Sequence, residues 1–192
     1  IDRHPTATAA DRVPTICHQT WPHDAKLHAW WVQPGRLLAG EYPGATTQEK
    51  AATKLNLLIG AGISTIVDLT TKHDGLAPYL AQLQEIAAES GRMVRHFRYP
   101  IPDNGVIGDA GYDAILTRIR TDIDAGRTVY VHCWGGRGRT STVIGCLLAE
   151  TGLNYSATIA RIAELRSGTR KAKFECPESS VQHDLLRSRC GQ

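Results

Sequence analysis

One stretch constrains this chain more than any other. Thr128 to Val131 is a β-branched and apolar run, Thr140 to Glu150 reads as a buried helix, and between them lies His132-Cys133-Trp134-Gly135-Gly136-Arg137-Gly138-Arg139. Strand, tight loop and helix follow one another with almost no slack. Five residues separate a thiol from a guanidinium, and three of the five are glycines. A loop of that composition can turn several backbone N–H groups toward one point at the start of a helix, which is where oxyanions bind well.

The rest of the chain repeats the alternation. Arg36 to Gly40 reads as a short strand closed by Tyr42-Pro43-Gly44, and Thr46 to Glu49 reads as a capping box opening a helix with Ala52, Leu55, Leu58 and Ile59 on one face. Thr65 to Leu69 and Val94 to Tyr99 are further strands. Further helices follow Pro78, span Asp109 to Asp124, follow a cap at Ser156, and run from about Pro177 to Arg189. Strands alternating with helices imply an α/β fold, a three-layer sandwich with a central, mostly parallel sheet. The loop after Val131 then lies at a strand's carboxyl end, where such folds place ligands. Residues 1–35, with prolines at 5, 14, 22 and 34, read as an irregular N-terminal arm whose end Trp21, Trp30 and Trp31 pin to a domain spanning 36–192.

Charge and cysteine content narrow the classes of function. A net charge of +3 is too small to imply nucleic acid and suits a small anionic substrate. No apolar run reaches the length of a membrane span. Cys17, Cys133, Cys146, Cys176 and Cys190 are odd in number and scattered, so they make neither a disulfide framework nor a metal pair. A reducing compartment, the cytoplasm, is the simpler reading. Cys17, His18, His23 and His28 fit no zinc spacing. The basic run Arg161, Arg166, Arg170, Lys171 and Lys173 lacks interleaved aromatic residues and reads as a solvated helix face.

The chemistry follows from the loop. Gly135, Gly136 and Gly138 leave phosphoryl oxygens room to reach backbone N–H groups, and the helix beginning near Arg139 adds the positive end of its dipole. Arg139 can grip two oxygens with a planar fork. The same positive field favours a thiolate at Cys133, to which Thr140 is placed to donate its hydroxyl. His132 reads as ordering the loop backbone. Attack of sulfur on phosphorus gives a cysteinyl-phosphate, with Arg139 and the loop N–H groups on the equatorial oxygens, and it requires no metal or cofactor. The leaving group still needs a proton from an acid on a different loop. Asp103, between Pro102 and Asn104-Gly105, is the candidate; Asp109 and Asp113 fall where helix caps and first-turn acids belong.

The segment from His132 to Thr140 resembles the signature of the cysteine-dependent protein tyrosine phosphatase superfamily, and Tyr99 to Asp103 resembles the general-acid loop of its dual-specificity branch. Arg36 to Gly44 and Ile66 to Thr70 resemble the early strands of bacterial members with a Cys-Trp-Gly-Gly loop. Cys176 to Gln182 resembles the segment before their last helix, so the likeness covers roughly residues 36–189. It implies a phosphatase domain over 36–192 with Cys133 as nucleophile, Arg139 as phosphate ligand, Asp103 as acid then base, and Gln182 positioning the hydrolytic water. Ser141 stands where glycine often follows Arg-Thr, and the acid loop has no Trp-Pro-Asp, unlike the large tyrosine-specific enzymes.

The substrate is open at this stage. A phosphorylated protein is the leading expectation, and a small phosphorylated molecule is the other. Arg137 inside the loop resembles the extra basic residue of phosphoinositide phosphatases, with Lys72 and His73 on a neighbouring loop; pairing of Arg137 with a local acid is the plainer alternative. Trp134 is placed to stack on a substrate ring or to cover the loop. Rhodanese-like sulfur transfer and arsenate reduction also use a cysteine in an anion loop, but sulfur transfer has no use for Asp103, and the presence of all the chemical groups argues against a catalytically dead phosphate-binding module.

Overall fold

The computed structural model describes residues 19–191, so the earlier part of the expected arm, with Cys17 and His18, lies outside the described residues. Among the described residues five strands form one sheet: β1 (Ala29–Gln33), β2 (Leu37–Gly40), β3 (Ile63–Asp68), β4 (Arg95–Arg98) and β5 (Thr128–His132), in the order β1-β2-β5-β3-β4. Only β1 is antiparallel to its neighbour; the β2–β5, β5–β3 and β3–β4 pairs are parallel. The strand feeding the glycine loop, β5, thus sits in the middle of the sheet, and its carboxyl end opens between two others.

Helices cover both faces. They are α1 (Gln48–Gly60), α2 (Leu80–Glu89), α3 (Asp109–Asp124), α4 (Gly138–Ala149), α5 (Tyr155–Leu165) and α6 (Ser180–Arg189). Alternate strand residues serve opposite cores, as the period of two requires. Leu38, Ile66 and Tyr130 pack with Leu55 and Leu58 of α1 and Leu83 of α2. Leu37, Val67, Val129 and Val131 pack with Ile115 and Ile119 of α3, Val143 and Ile144 of α4, and Leu186 of α6. Cys146 is fully buried in the second core, and burial pushes its thiol up to about 12.

Four local expectations are corrected. Ala29–Gln33, read as part of an irregular arm, is strand β1, with Trp30 in one core and Trp31 in the other. A strand buried on both faces carries no polar alternation to reveal it. The cap of α1 is Thr47 rather than Thr46, and that of α5 is Asn154, whose side chain accepts the Ala157 N–H. The basic run is not one helix face: α5 ends at Leu165, and Arg166 is buried with its guanidinium donating to the carbonyls of Lys171 (2.7 Å) and Phe174 (3.0 Å). That folds residues 166–174 into a compact loop reaching back toward β2.

Candidate active site

Cys133 follows the last residue of β5 and is almost wholly buried at the foot of the loop. The loop rests on the end of β2. Gly136 has φ +69°, and a Cβ there would lie 2.5 Å from the Gly40 carbonyl carbon and 2.6 Å from the Glu41 nitrogen, so glycine is needed for both its conformation and its close approach. The Trp134 carbonyl accepts the Tyr42 N–H (2.9 Å), and the Gly135 carbonyl accepts a hydrogen bond from Lys171 Nζ (2.9 Å). Carbonyls held outward leave the loop's concave side to N–H groups and to the first turn of α4.

Arg139, in that first turn, is 1% exposed. Its fork is met by Asp74, with Nη1 to Oδ2 at 2.8 Å and Nη2 to Oδ1 at 3.0 Å, and Nη1 also donates to the Ile101 carbonyl (3.0 Å). Asp103 Oδ1 lies 3.2 Å from Nη2. Burial works against the guanidinium charge, but the Asp74 hydrogen bonds, with Cys133 and Asp103 close by, hold its pKa above the ordinary value. Burial likewise opposes the Asp74 charge, and Arg139 and the Thr71 N–H bring that carboxyl below the usual range.

Under the loop, His132 is fully buried. Its Nδ1–H donates to the Cys133 carbonyl (3.0 Å), which leaves Nε2 as acceptor for the Tyr79 hydroxyl (2.7 Å). Burial pulls its pKa down to about 4 despite Asp68 Oδ1 at 3.8 Å, so the ring is a neutral brace for the backbone. Asp68 takes hydrogen bonds from Thr70, His96 and Arg98, and its carboxyl is held well below the usual range: burial opposes the charge and His96, His132 and Thr70 overcome it.

The family described as "Swiss Army Knife protein, DSP-PTPase phosphatase domain" matches residues 27–183. The chain belongs to this family. It is a cysteine-dependent phosphatase of the dual-specificity type, with the α/β sandwich its sequence led us to expect. Among solved structures, Tk-PTP in its active form is 21% identical, covering 90% of this chain and 99% of that one with a TM-score of 0.67. Kinase associated phosphatase, with its catalytic site cysteine substituted by serine, is 21% identical over 86% and 96% of the two chains, TM-score 0.66. PTPMT1 in complex with PI(5)P is 17% identical over 82% and 91%, TM-score 0.61. No curated protein matches the chain.

The phosphatase loop does not use all the expected residues in the expected way. Arg137 turns away from the concave side: it pairs with Glu178 (2.8 Å) and lies over the Phe174 ring (4.7 Å). The Thr140 hydroxyl donates to the Gly40 carbonyl (3.4 Å) rather than to sulfur. Gln182 is buried against Gly138, but its Oε1 accepts the N–H groups of Glu178 and Ser179 (3.1 Å each) and its Nε2 donates to the Gly105 carbonyl (3.4 Å). It caps α6 and ties that helix to the loop bearing Asp103. Asp109 and Asp113 pair with Arg189 (3.2 and 2.8 Å). Trp134 is 54% exposed at the rim of a 260 Å³ recess lined by Tyr42, Lys54, Leu76 and Ala77. Lys72 and His73 are exposed on the short turn that carries Asp74.

Sequence reasoning missed four residues of this site. Asp74 holds the Arg139 fork, Glu178 accepts the Gly138 N–H (3.0 Å), and Lys171 joins Gly135 to Glu41. Glu41, 8% exposed, also takes Arg170 (2.7 Å) and the His28 N–H (3.0 Å). Asp74 alone carried a local signal, an acid three residues after Thr71 and just before a glycine at φ +64°.

Proposed function

We propose that the phosphatase hydrolyses phosphorylated side chains of proteins through a cysteinyl-phosphate at Cys133. The observation that carries this reading is the meeting of three groups at one point: Arg139 in the first turn of α4, its fork fixed by Asp74, and Asp103 3.2 Å away on a separate loop. Arg139 and the loop N–H groups, apart from that of Gly138, which Glu178 already holds, bind the three non-bridging phosphoryl oxygens. Sulfur attacks phosphorus as the ester bond breaks, and Asp103 gives its proton to the leaving oxygen. Asp103 then takes a proton from water as that water displaces sulfur, and inorganic phosphate leaves. Asp103 is half exposed, which suits a group that must change protonation state in each turnover. Gln182, beside Gly138, is the candidate to orient the water once its bond to Gly105 opens.

The turning of Arg137 onto Glu178 favours a phosphorylated protein over a small molecule that crowds several phosphates at the loop, since that guanidinium is already neutralised. The described cysteines are all free thiols, which suits the cytoplasm, and among the described residues no helix is long and apolar enough to cross a membrane.

The test is hydrolysis of p-nitrophenyl phosphate and of aryl phosphates with poorer leaving groups. Cys133→Ser abolishes turnover of all of them while still binding vanadate; residual turnover at a tenth of wild type rejects the nucleophile. Asp103→Ala slows the poor leaving groups most, and an equal loss across the series rejects the acid.

A further inference from the structure

A cluster of unbalanced charge away from the catalytic loop surrounds Asp122 near the end of α3. This side chain is fully buried, and its Oδ2 accepts the Thr65 hydroxyl at 2.5 Å. Its other oxygen, Oδ1, faces three guanidinium groups: Nη1 of Arg95 at 3.1 Å, of Arg118 at 3.3 Å and of Arg127 at 3.7 Å. Among the described residues these three arginines pair with no other carboxylate. One negative charge therefore gathers three positive ones, leaving a surplus of two.

Neutralising Asp122 would need one guanidinium; the second and third add repulsion that separation into water would relieve. Other contacts hold them in place. The Phe97 ring lies under both Arg95 (4.9 Å to its centroid) and Arg118 (4.0 Å), which fixes two guanidinium planes beside one another. The backbone N–H of Arg127 donates to the Asp122 carbonyl (2.9 Å), which anchors the third. All three side chains keep between a quarter and two fifths of their surface in solvent.

We propose that Arg95, Arg118 and Arg127 form a second, non-catalytic anion site that takes a phosphoryl dianion. A phosphoryl group carries about −1.5 to −2 at neutral pH, which matches the surplus, and planar forks suit its oxygens. The site is remote from the reaction. Thr65 and Arg95 stand near the starts of β3 and β4, and Arg127 just before β5, whereas Cys133 lies beyond the opposite end of β5. The six residue steps from Arg127 along β5 to Cys133 span about 20 Å, too far for one phosphoryl group to touch both places. The ligand is therefore a second phosphoryl group on a protein substrate or free inorganic phosphate.

Titration of the full chain with inorganic phosphate, followed by backbone amide NMR, tests this without relying on turnover. Saturable shifts are expected at Thr65, Phe97 and Arg127, separate from those of the catalytic loop. Arg127→Gln, the partner farthest from Asp122 and so the least structural, should weaken the remote binding about tenfold and leave the loop shifts unchanged; Arg118→Gln should do the same. Linear, non-saturating shifts, or unchanged affinity in both variants, overturn the proposal. A second arm separates the sources. If the phosphoryl group is borne by the substrate, Arg127→Gln raises KM for peptides with two phosphoryl groups about four to eight residues apart and leaves p-nitrophenyl phosphate unaffected. If KM is unchanged while inorganic phosphate still saturates the site, the ligand is free phosphate.

Discussion

The two sides of the phosphatase loop are built on opposite plans. On the Arg139 side a buried guanidinium meets two carboxylates, and one of them, Asp103, is half exposed on a loop that is joined to α6 through the carbonyls of Asn104 and Gly105. On the Gly135 side the supporting carbonyls and side chains are paired before substrate arrives. Lys171 bridges Gly135 to Glu41, Tyr130 donates to the Glu41 carbonyl (2.5 Å), and His132 braces Cys133 from below. Burial alone would push the Glu41 carboxyl up, yet the Lys171 hydrogen bond and the His28 N–H hold it below the usual range. The difference separates two tasks. A side that binds a dianion must have partners it can exchange, and Asp103 is one that an incoming phosphoryl oxygen can displace. A side that sets the direction of backbone N–H groups must be satisfied without ligand, because preorganised dipoles cost no rearrangement at the moment of reaction.

Substitution on the exchangeable side should cost the most in rate. Arg139→Lys keeps a cation but loses the fork, so both Asp74 oxygens and the phosphoryl oxygens lose a planar partner. We expect kcat/KM for p-nitrophenyl phosphate to fall roughly 10²–10³-fold, the range for losing one preorganised transition-state donor. A loss below tenfold would mean that charge alone suffices and that the fork, with Asp74 behind it, is not what the site uses.

The second effect belongs to the fixed side and reads as stability rather than rate. His132 stays neutral in the folded protein down to about pH 4, whereas an imidazole in the unfolded chain takes up a proton near pH 6.5. Between these values the unfolded state holds more protons, so stability falls as pH falls, by up to about 3 kcal/mol across the window. His28, also held down by burial, acts in the same direction. Asp74 and Asp68, whose pKa values are depressed, lose their contribution only at lower pH. Thermal melts from pH 7 to pH 4 should therefore show a slope that His132→Gln reduces. An unchanged slope would show that the brace is not the buried neutral ring.

How much of this was legible in the sequence follows the same division. The central strand, the glycine loop and α3 are local patterns, and Asp109–Asp124 is a helix with the bounds its periodicity marks. Cys133, Arg139 and Asp103 are close to glycines and prolines that only a few backbone shapes tolerate. The fixed side is made of distant pairs: Lys171 meets Gly135 across 36 positions and Glu41 across 130, and no local pattern encodes either. Arg137 shows the reverse case. Its place in the loop left a phosphate ligand and a local ion pair both open, and Glu178 and Phe174, brought in by the segment before α6, offer it a carboxylate and a ring. β1 was hidden because Ala29, Trp30 and Trp31 are apolar on both faces.

The smallest of the three effects decides whether the two sides are really separate. Lys171→Met keeps the length and apolar stem of the side chain but leaves the Gly135 carbonyl without its outward partner. Glu41 keeps Arg170 and the His28 N–H, so the fold should survive with a modest drop in melting temperature. A charge-assisted hydrogen bond on a side chain that is mostly buried is worth about 1.5 kcal/mol, so vanadate affinity and kcat/KM should each fall about tenfold. Because the lost contact orients ground-state and transition-state donors alike, KM should carry most of the change, and Lys171→Arg should restore part of it. If melting temperature falls while KM and vanadate affinity hold, Lys171 merely ties the 166–174 loop to β2, and the loop keeps its shape from His132 and Gly136 alone. If both fall together and arginine rescues only the binding, the fixed side is shaping the anion site and not just supporting it.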